Sequence, residues 1–446
     1  MKNKFINISF LIITVCILFT SCYKDDYLNP SQASNESVIS STNGLIALCN
    51  GLQLRYSVGR ASPIYSTITA NGLSANELIV LNQGNTDEAN LQAGKGNVLG
   101  NNSVVTRLWE QSNLIKANAD LILNNISKVG DTGTKNAILC YANLYKGLAL
   151  LQLGTYWEQA PIAVSAAASF STRTEVLNEA IKSFEAGSVA AAAAAAIAAA
   201  TGTSPFTSSF QGGIDFVNTF AALTARTYNI LGDSDKALAA ANKVDLTKKS
   251  EFSYDDVSRN TIFDVSYSNV NVCEPIDFNL GLSGALVPSS TDGRVLFYLK
   301  SKTIPYLIGT TRNNVGKGFF TSNSAKIPVY LPGEVTLIKA EAYARKNDLT
   351  NAVAELNKIL TKTNDAFGVN AGGTVYTGAQ TNTAILTEIY RNRCIELYNS
   401  GLKLEDSRRF GRPGPKDAGA ERNRNFYPYP NSERDNNSKT PADPEI

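Results

Sequence analysis

The chain has 446 residues, with 41 Lys and Arg against 39 Asp and Glu and no histidine. Removing residues 1–21 takes away Lys2 and Lys4 and levels the two signs, so no net charge steers the chain toward nucleic acid. Without histidine there is no usual general base, no usual zinc ligand and no Ser-His or Cys-His nucleophile pair, and a hydrolase would have to rest on carboxylates alone.

Lys2 and Lys4 precede an apolar run from Phe5 to Phe19, which ends in Thr20-Ser21-Cys22. A basic start and an apolar run too short to span a bilayer with margin read as a secretory signal. The small residue before Cys22 makes its end resemble a bacterial lipobox, in which the cysteine is acylated and becomes the mature N-terminus. On that reading residues 1–21 are a lipoprotein signal peptide, residues 22–40 a lipidated tether, and residues 41–446 one large domain.

Residues 107–129 carry Ile115, Ala119, Ile122, Ile126 and Val129 in steps of four and three, one stripe of an amphipathic helix. Gly130-Asp131 ends it. A second helix over about residues 136–154 shows Tyr141, Leu144, Leu148 and Leu151 on one face, and the short gap makes it an antiparallel neighbour. A third, over about 174–200, contains the run Ala190 to Ala196, which has high helix propensity and little to bury. It is either packed closely on a neighbour or a stiff solvated helix. A fourth covers about 216–229 and leads through Leu231-Gly232-Asp233 into a fifth that ends near Val244. Cys49, Cys140, Cys273 and Cys394 stand far apart in no metal or redox spacing. Cys140 and Cys394 lie in apolar helical patterns and are expected as buried free thiols.

An internal repeat organises the rest. Ala225-x-x-Tyr228, Asp233, Ala237 and Asn242-Lys243-Val244 recur as Ala340-x-x-Tyr343, Asp348, Ala352 and Asn357-Lys358-Ile359, every pair 115 residues apart. Ala142-x-x-Tyr145 begins a third, divergent copy. Small residues where helices cross, an aromatic to fill the groove, and Asp before a helix start are what a tetratricopeptide-type hairpin requires. The predicted fold is therefore mainly all-α, a single large domain of such hairpins. Residues 246–333 lack helical period and are rich in Gly, Pro, Ser, Asn and aromatic residues. Residues 57–100 are similar, with Asn71, Asn76, Glu77, Asn82, Gln83 and Asn85 among glycines. Both are expected as irregular insertions on the helical scaffold, where binding residues concentrate.

Several short motifs stand in a specific order: Trp109 with Ala117-Asn118, Gly154-Thr155-Tyr156-Trp157 to Pro161-Ile162, and Leu337-Ile338-Lys339-Ala340-Glu341-Ala342-Tyr343. Arg393, Glu396-Leu397, Gly401, Asp406 and Arg409-Phe410-Gly411 follow, then Tyr427-Pro428-Tyr429-Pro430 and Asn436-Asn437. In this order, over nearly the whole mature chain, the sequence resembles the SusD/RagB family of outer-membrane lipoproteins. Asn392, Ser400, Lys403 and Ser407 depart from that family's charged pattern. Lys24-Asp25-Asp26 resembles the acidic tag that carries lipoproteins of the Bacteroidetes to the cell surface.

The resemblance implies a surface lipoprotein, anchored in the outer membrane by acylated Cys22, that binds a glycan or other nutrient and delivers it to a SusC-like TonB-dependent transporter. It implies no catalysis, cofactor or metal. Aromatic faces stack on sugar rings and amides read hydroxyls, while a tether raises the effective concentration at the transporter. On this reading the site is built from residues 57–100 and 246–333, with Asn71, Glu77, Asn82, Tyr298, Tyr306 and Phe319 as its candidates. Trp109 and Trp157, the two tryptophans, both fall in helix-packing segments, which keeps a peptide ligand open. A helical-repeat adaptor gripping a protein partner is a further alternative. Arg393, Glu396, Asp406 and Arg409 read as a buried network locking the chain end to the bundle, and the arginines of 408–424 as a solvated loop.

Overall fold

Most helix starts among the described residues are set by side-chain caps. Ser41 accepts the Gly44 amide at the head of α1 (Thr42–Ser57), and Ser62 accepts the Tyr65 amide at the head of α2 (Pro63–Ser74). The computed structural model describes residues 38–306 and 309–446. The predicted signal segment, Cys22 and most of the tether lie outside the described residues.

α2 falls in the stretch expected to be irregular and corrects that expectation, because all 12 of its residues are buried. A helix enclosed on every side has no polar face, so no amphipathic period marks it. Its Ser, Thr, Asn and Gly are weak helix formers held helical by packing. β1 (Leu78–Val80) and α3 (Thr86–Ala93) follow.

α4 (Ser103–Asn125) and α5 (Thr132–Tyr156), capped by Asn102 and Asp131, form the predicted antiparallel hairpin. After the small ladder of β2 (Gln159–Pro161) and β3 (Phe170–Thr172), α6 (Arg173–Thr201) starts in a capping box of Thr172 and Glu175. Two glycines let these helices approach. A Cβ on Gly147 of α5 would meet the Phe184 ring at 2.3 Å, and one on Gly187 of α6 would meet Phe220 at 2.2 Å. Phe220 belongs to α7 (Phe216–Leu231), which turns into α8 (Ser234–Ala241). The alanine run satisfies both of its expected readings: Ala190, Ala191 and Ala194 pack inward, while Ala192, Ala195 and Ala196 are exposed.

Residues 246–333 hold more order than their composition suggests. They contain β4 (Glu251–Phe252), β5 (Cys273–Pro275), α9 (Gly293–Tyr298), the hairpin of β6 (Leu299–Tyr306) and β7 (Thr310–Gly316), and β8 (Ile327–Pro328). β5 pairs antiparallel with β1, and β4 with β8. These ladders are short and draw partners from distant parts of the chain, so no local alternation announces them.

The second copy of the repeat is α10 (Pro332–Arg345) with α11 (Leu349–Leu360), and its turn reproduces that between α7 and α8. The amide of Asp233 bonds the Tyr228 carbonyl at 3.0 Å, and that of Asp348 the Tyr343 carbonyl at 2.9 Å. The residue before each aspartate is left-handed, Gly232 at φ 78° and Asn347 at φ 61°. Each aspartate then caps the next helix, accepting the Lys236 and Asn351 amides at 3.1 and 3.2 Å. Ala225, Ala237, Ala340 and Ala352 are fully buried.

α12 (Asn382–Glu396), α13 (Lys403–Arg409) and α14 (Asn431–Asn436) complete the fold. Arg393 clasps Asp406 by two bonds of 2.8 and 3.0 Å, and Arg409 joins Asp406 to Glu341 of α10. Glu396 stands apart from this predicted network: it pairs with Arg294 of α9 at 3.2 Å and with Lys362. The arginine-rich segment is likewise packed rather than solvated. Arg408 bonds the Thr155 and Asn425 carbonyls, Arg422 bonds Ser407 and the Arg412 carbonyl, and Arg424, 3 % exposed, bonds the Lys95 carbonyl. Carbonyl acceptors satisfy these guanidiniums, a form of pairing that charge counting along the sequence misses. Among the described residues Cys49, Cys140, Cys273 and Cys394 are buried free thiols.

Candidate functional site

The β1–β5 ladder brings together two loops about 190 residues apart. Leu78 pairs with Pro275 and Val80 with Cys273, and the Leu81 amide extends the ladder to the Val272 carbonyl at 3.0 Å. Leu81, Asn82 and Gln83 therefore emerge beside Val270 and Asn271. β7 packs on β5 through Arg312, which bonds the Pro275 and Ile276 carbonyls, and Asn314, which donates to the Pro275 carbonyl at 2.7 Å. That contact carries the end of β6, Pro305 and Tyr306, to the same place.

The result is an open surface groove of about 590 Å³ lined by Leu81, Asn82, Gln83, Val270, Asn271, Pro305 and Tyr306. Its size falls within the range of small-molecule sites. Asn82 and Asn271 are exposed and linked, Asn82 Nδ2 donating to Asn271 Oδ1 at 3.0 Å. Asn82 Oδ1 accepts the Gly84 amide at 2.9 Å, and Asn85 donates to the Asn82 carbonyl at 3.1 Å. These bonds hold the amides in one orientation. The Tyr306 ring is half-buried with the Arg312 guanidinium 5.2 Å from its centroid, a cation–π contact that orients it. Val270 is held at φ 53°, a left-handed conformation that costs a β-branched residue on the order of 1–3 kcal/mol. Ordered amides around an aromatic ring can read hydroxyls and stack on an apolar ring face.

Of the six candidates, Asn82 and Tyr306 meet in this groove. Asn71 and Glu77 instead bond each other in the interior, away from the groove. Asn71, completely buried, donates to Glu77 at 2.9 Å and accepts the Leu404 amide at 2.7 Å, bracing α2 against α13. Glu77 is 1 % exposed, and burial pushes its carboxyl up to about 7 against the pull of the Lys403 ammonium. Tyr298 is 3 % exposed and donates to the Glu396 carbonyl at 2.5 Å. Phe319 packs edge-on against Phe297 and Phe367. Tyr298 belongs to the interior and Phe319, half-buried, packs against it. The tryptophans pack as the sequence suggests: Trp109 and Trp157 meet edge to face at 5.0 Å and are buried. Sequence reasoning passed over Asn271, Val270 and Arg312, since only the ladder places them. Gln83 was visible in the amide-rich run beside Asn82.

No protein-family model and no curated protein matches the chain. Solved structures do. A SusD-like protein from Bacteroides fragilis superposes with a TM-score of 0.69 at 12% identity, covering 92% of this chain and 98% of its own. A SusD superfamily protein from Bacteroides vulgatus gives 0.64 at 14% identity, over 91% and 98%. A SusD-like carbohydrate binding protein from the same species gives 0.64 at 18% identity, over 83% and 84%. The chain therefore has the SusD-type fold, mainly α, as its motif order implied.

Proposed function

We propose that this chain is a SusD/RagB-type nutrient-binding lipoprotein that takes a glycan at the groove of Asn82, Asn271 and Tyr306. The observation that carries the reading is the convergence of ordered amides and an oriented tyrosine on one open face. The fold supports it, since relatives in fold include a SusD-like carbohydrate binding protein and a laminarin binding SusD-like protein. The role is binding: the exposed polar side chains of the groove are the amides of Asn82, Gln83 and Asn271, groups suited to read hydroxyls. Acylation of Cys22 anchors the chain in the outer membrane at the cell surface, where it hands ligand to a SusC-like TonB-dependent transporter.

Affinity electrophoresis and calorimetry of the purified protein against panels of polysaccharides and peptides test the binding. A glycan partner is expected, with Tyr306→Ala weakening it about tenfold, the size of a lost aromatic contact. Undiminished binding by both Tyr306→Ala and Asn82→Ala would sink the assignment of this groove, and a peptide partner would replace the ligand class. The anchor is tested by palmitate labelling in cells. Cys22→Ala is expected to abolish it, and persistent labelling would refute lipidation at that residue.

A further inference from the structure

Between α4 and α14 lies an open pocket of about 330 Å³ that shares no lining residue with the groove. Its walls are fastened to each other without a ligand. The Asn431 amide donates to the Gly100 carbonyl at 2.9 Å, the Thr106 hydroxyl donates to that same carbonyl at 3.3 Å, and the Trp109 indole ties α4 to Glu433 of α14 at 3.1 Å. A Cβ on Gly100 would stand 2.4 Å from Asn431 Oδ1, so glycine is what admits the Asn431 side chain to the wall. A pocket held in this way is preformed, and its size is one that small molecules use.

Arg107 and Glu110 are the two charged residues that line it. They stand three positions apart on α4, a spacing at which Cβ atoms lie about 5–6 Å from each other. Elsewhere in the chain pairs at this spacing close on themselves: Glu179 with Lys182, Asp233 with Lys236, Glu355 with Lys358 and Glu388 with Arg391 bond at 2.7–3.0 Å. In those four the acid precedes the base. On α4 the order is reversed, the less favourable orientation, and the two do not bond. Arg107 is half-buried and has no hydrogen bond, ion pair or ring contact among the described residues. Glu110 accepts the Ser432 hydroxyl from the α14 wall, at 3.3 Å. Nearby charges are partnered, Asp87 with the Ser103 hydroxyl at 2.5 Å and Arg434 with Asp443 at 2.8 Å. The first amides of α4 are likewise taken by Asn102, so the group that can attract an anion here is the Arg107 side chain and not a helix end.

We infer that this pocket binds a small polar α-amino acid in its zwitterionic form. Such a ligand carries ammonium and carboxylate on one carbon, and the unpaired Arg107 and Glu110 offer each of them a charge-assisted bond. A ligand of one sign would meet attraction from one of these residues and repulsion from the other. Asn101, Asn431 and Ser432 on the walls suit a hydroxyl or amide side chain in place of an apolar one.

Calorimetry and saturation-transfer NMR of the whole protein with L-serine test this, with N-acetyl-L-serine, which lacks the ammonium, and L-serinamide, which lacks the carboxylate, as controls. Saturable binding of L-serine is expected, with both controls weaker. Arg107→Gln and Glu110→Gln should each weaken L-serine about tenfold to a hundredfold, the size of a lost bond to a charged group, with the unfolding temperature unchanged. In Glu110→Gln the preference for L-serine over N-acetyl-L-serine should vanish, a result that a merely structural role would not produce. Tyr306→Ala should leave the signal intact. No binding of L-serine, or binding that survives both substitutions, would overturn the site. Loss in Tyr306→Ala would move the ligand to the groove and overturn it as well. Binding of O-phosphoethanolamine, the zwitterion of a lipid headgroup, in the absence of L-serine binding would overturn the amino-acid assignment.

Discussion

Two glutamates show how position decides what a carboxylate does here. Glu341 is fully buried, yet the Arg409 and Arg345 guanidiniums beside it outweigh the cost of burial and hold its carboxyl down at about 2. Glu77 and Glu274 form no ion pair among the described residues, and burial raises both to about 7 against the weaker pull of Lys403 and Arg312. A carboxyl whose folded pKa exceeds its unfolded value, near 4.5, binds its proton more tightly when folded. Its stabilising contribution is complete below that unfolded value and is lost as pH rises through about 7. Glu341 acts in the opposite sense, giving stability above 4.5 that is lost as pH falls toward 2. Unfolding temperature is therefore expected to be higher at about pH 5.5 than at about pH 8, with a difference on the order of 2 kcal/mol per raised glutamate. Glu77→Gln with Glu274→Gln should remove most of that difference. A pH profile unchanged by the two substitutions would contradict the assignment.

Between elements, the helical hairpins are held by small residues facing large ones. At Gly187 the exchange of glycine for alanine would by helix propensity add about 1 kcal/mol. A methyl there meets the buried Phe220 ring at 2.2 Å, and forcing that ring aside costs about 1–3 kcal/mol. Packing wins, and Gly187→Ala is expected to lower stability in chemical denaturation. A gain would show that α6 and α7 can slide apart freely. The repeat was legible because it rests on local chemistry: Asp233 and Asp348 cap their helices through bonds that span three residues. α2 was illegible for the converse reason: beyond its Ser62 cap, a segment rich in Ser, Thr, Asn and Gly has little local preference for a helix. The Glu396 branch of the ion network was misassigned because Arg294 lies 102 positions away and α9 had no sequence signal of its own.

Over the whole molecule the C-terminal segment closes on α2, α4 and the end of α5. Tyr427 stacks on Tyr156 at 5.6 Å, the Trp157 indole donates to the Pro428 carbonyl at 3.0 Å, and the Trp109 indole donates to Glu433 at 3.1 Å. Tyr427 is completely buried, and its hydroxyl also bonds Ser74 of α2 at 3.1 Å. Tyr427→Ala is expected to cost about 3–5 kcal/mol and to loosen α2, α5 and the C-terminal segment together, as read by hydrogen exchange. Exchange confined to residues near 427 would mean that the closure is local.

From its own residues the sequence determined the helical hairpins, their capped turns, the absence of a histidine chemistry, the motif order of a SusD-type fold, and the brace of Arg393, Asp406 and Arg409. The caps and turns depend on interactions within a few residues, the brace on groups 13 positions apart in one motif, and the rest on composition and motif order. It could nominate Asn71, Glu77, Asn82, Tyr298, Tyr306 and Phe319 but not say which of them line the open groove. That choice depends on which face each side chain turns to solvent. A pairing of three residues between β1 and β5, and the anchoring of β7 by Arg312, decide it. Those contacts join segments far apart in the chain, and their energy comes from burial and hydrogen bonding that exist only once the bundle has formed.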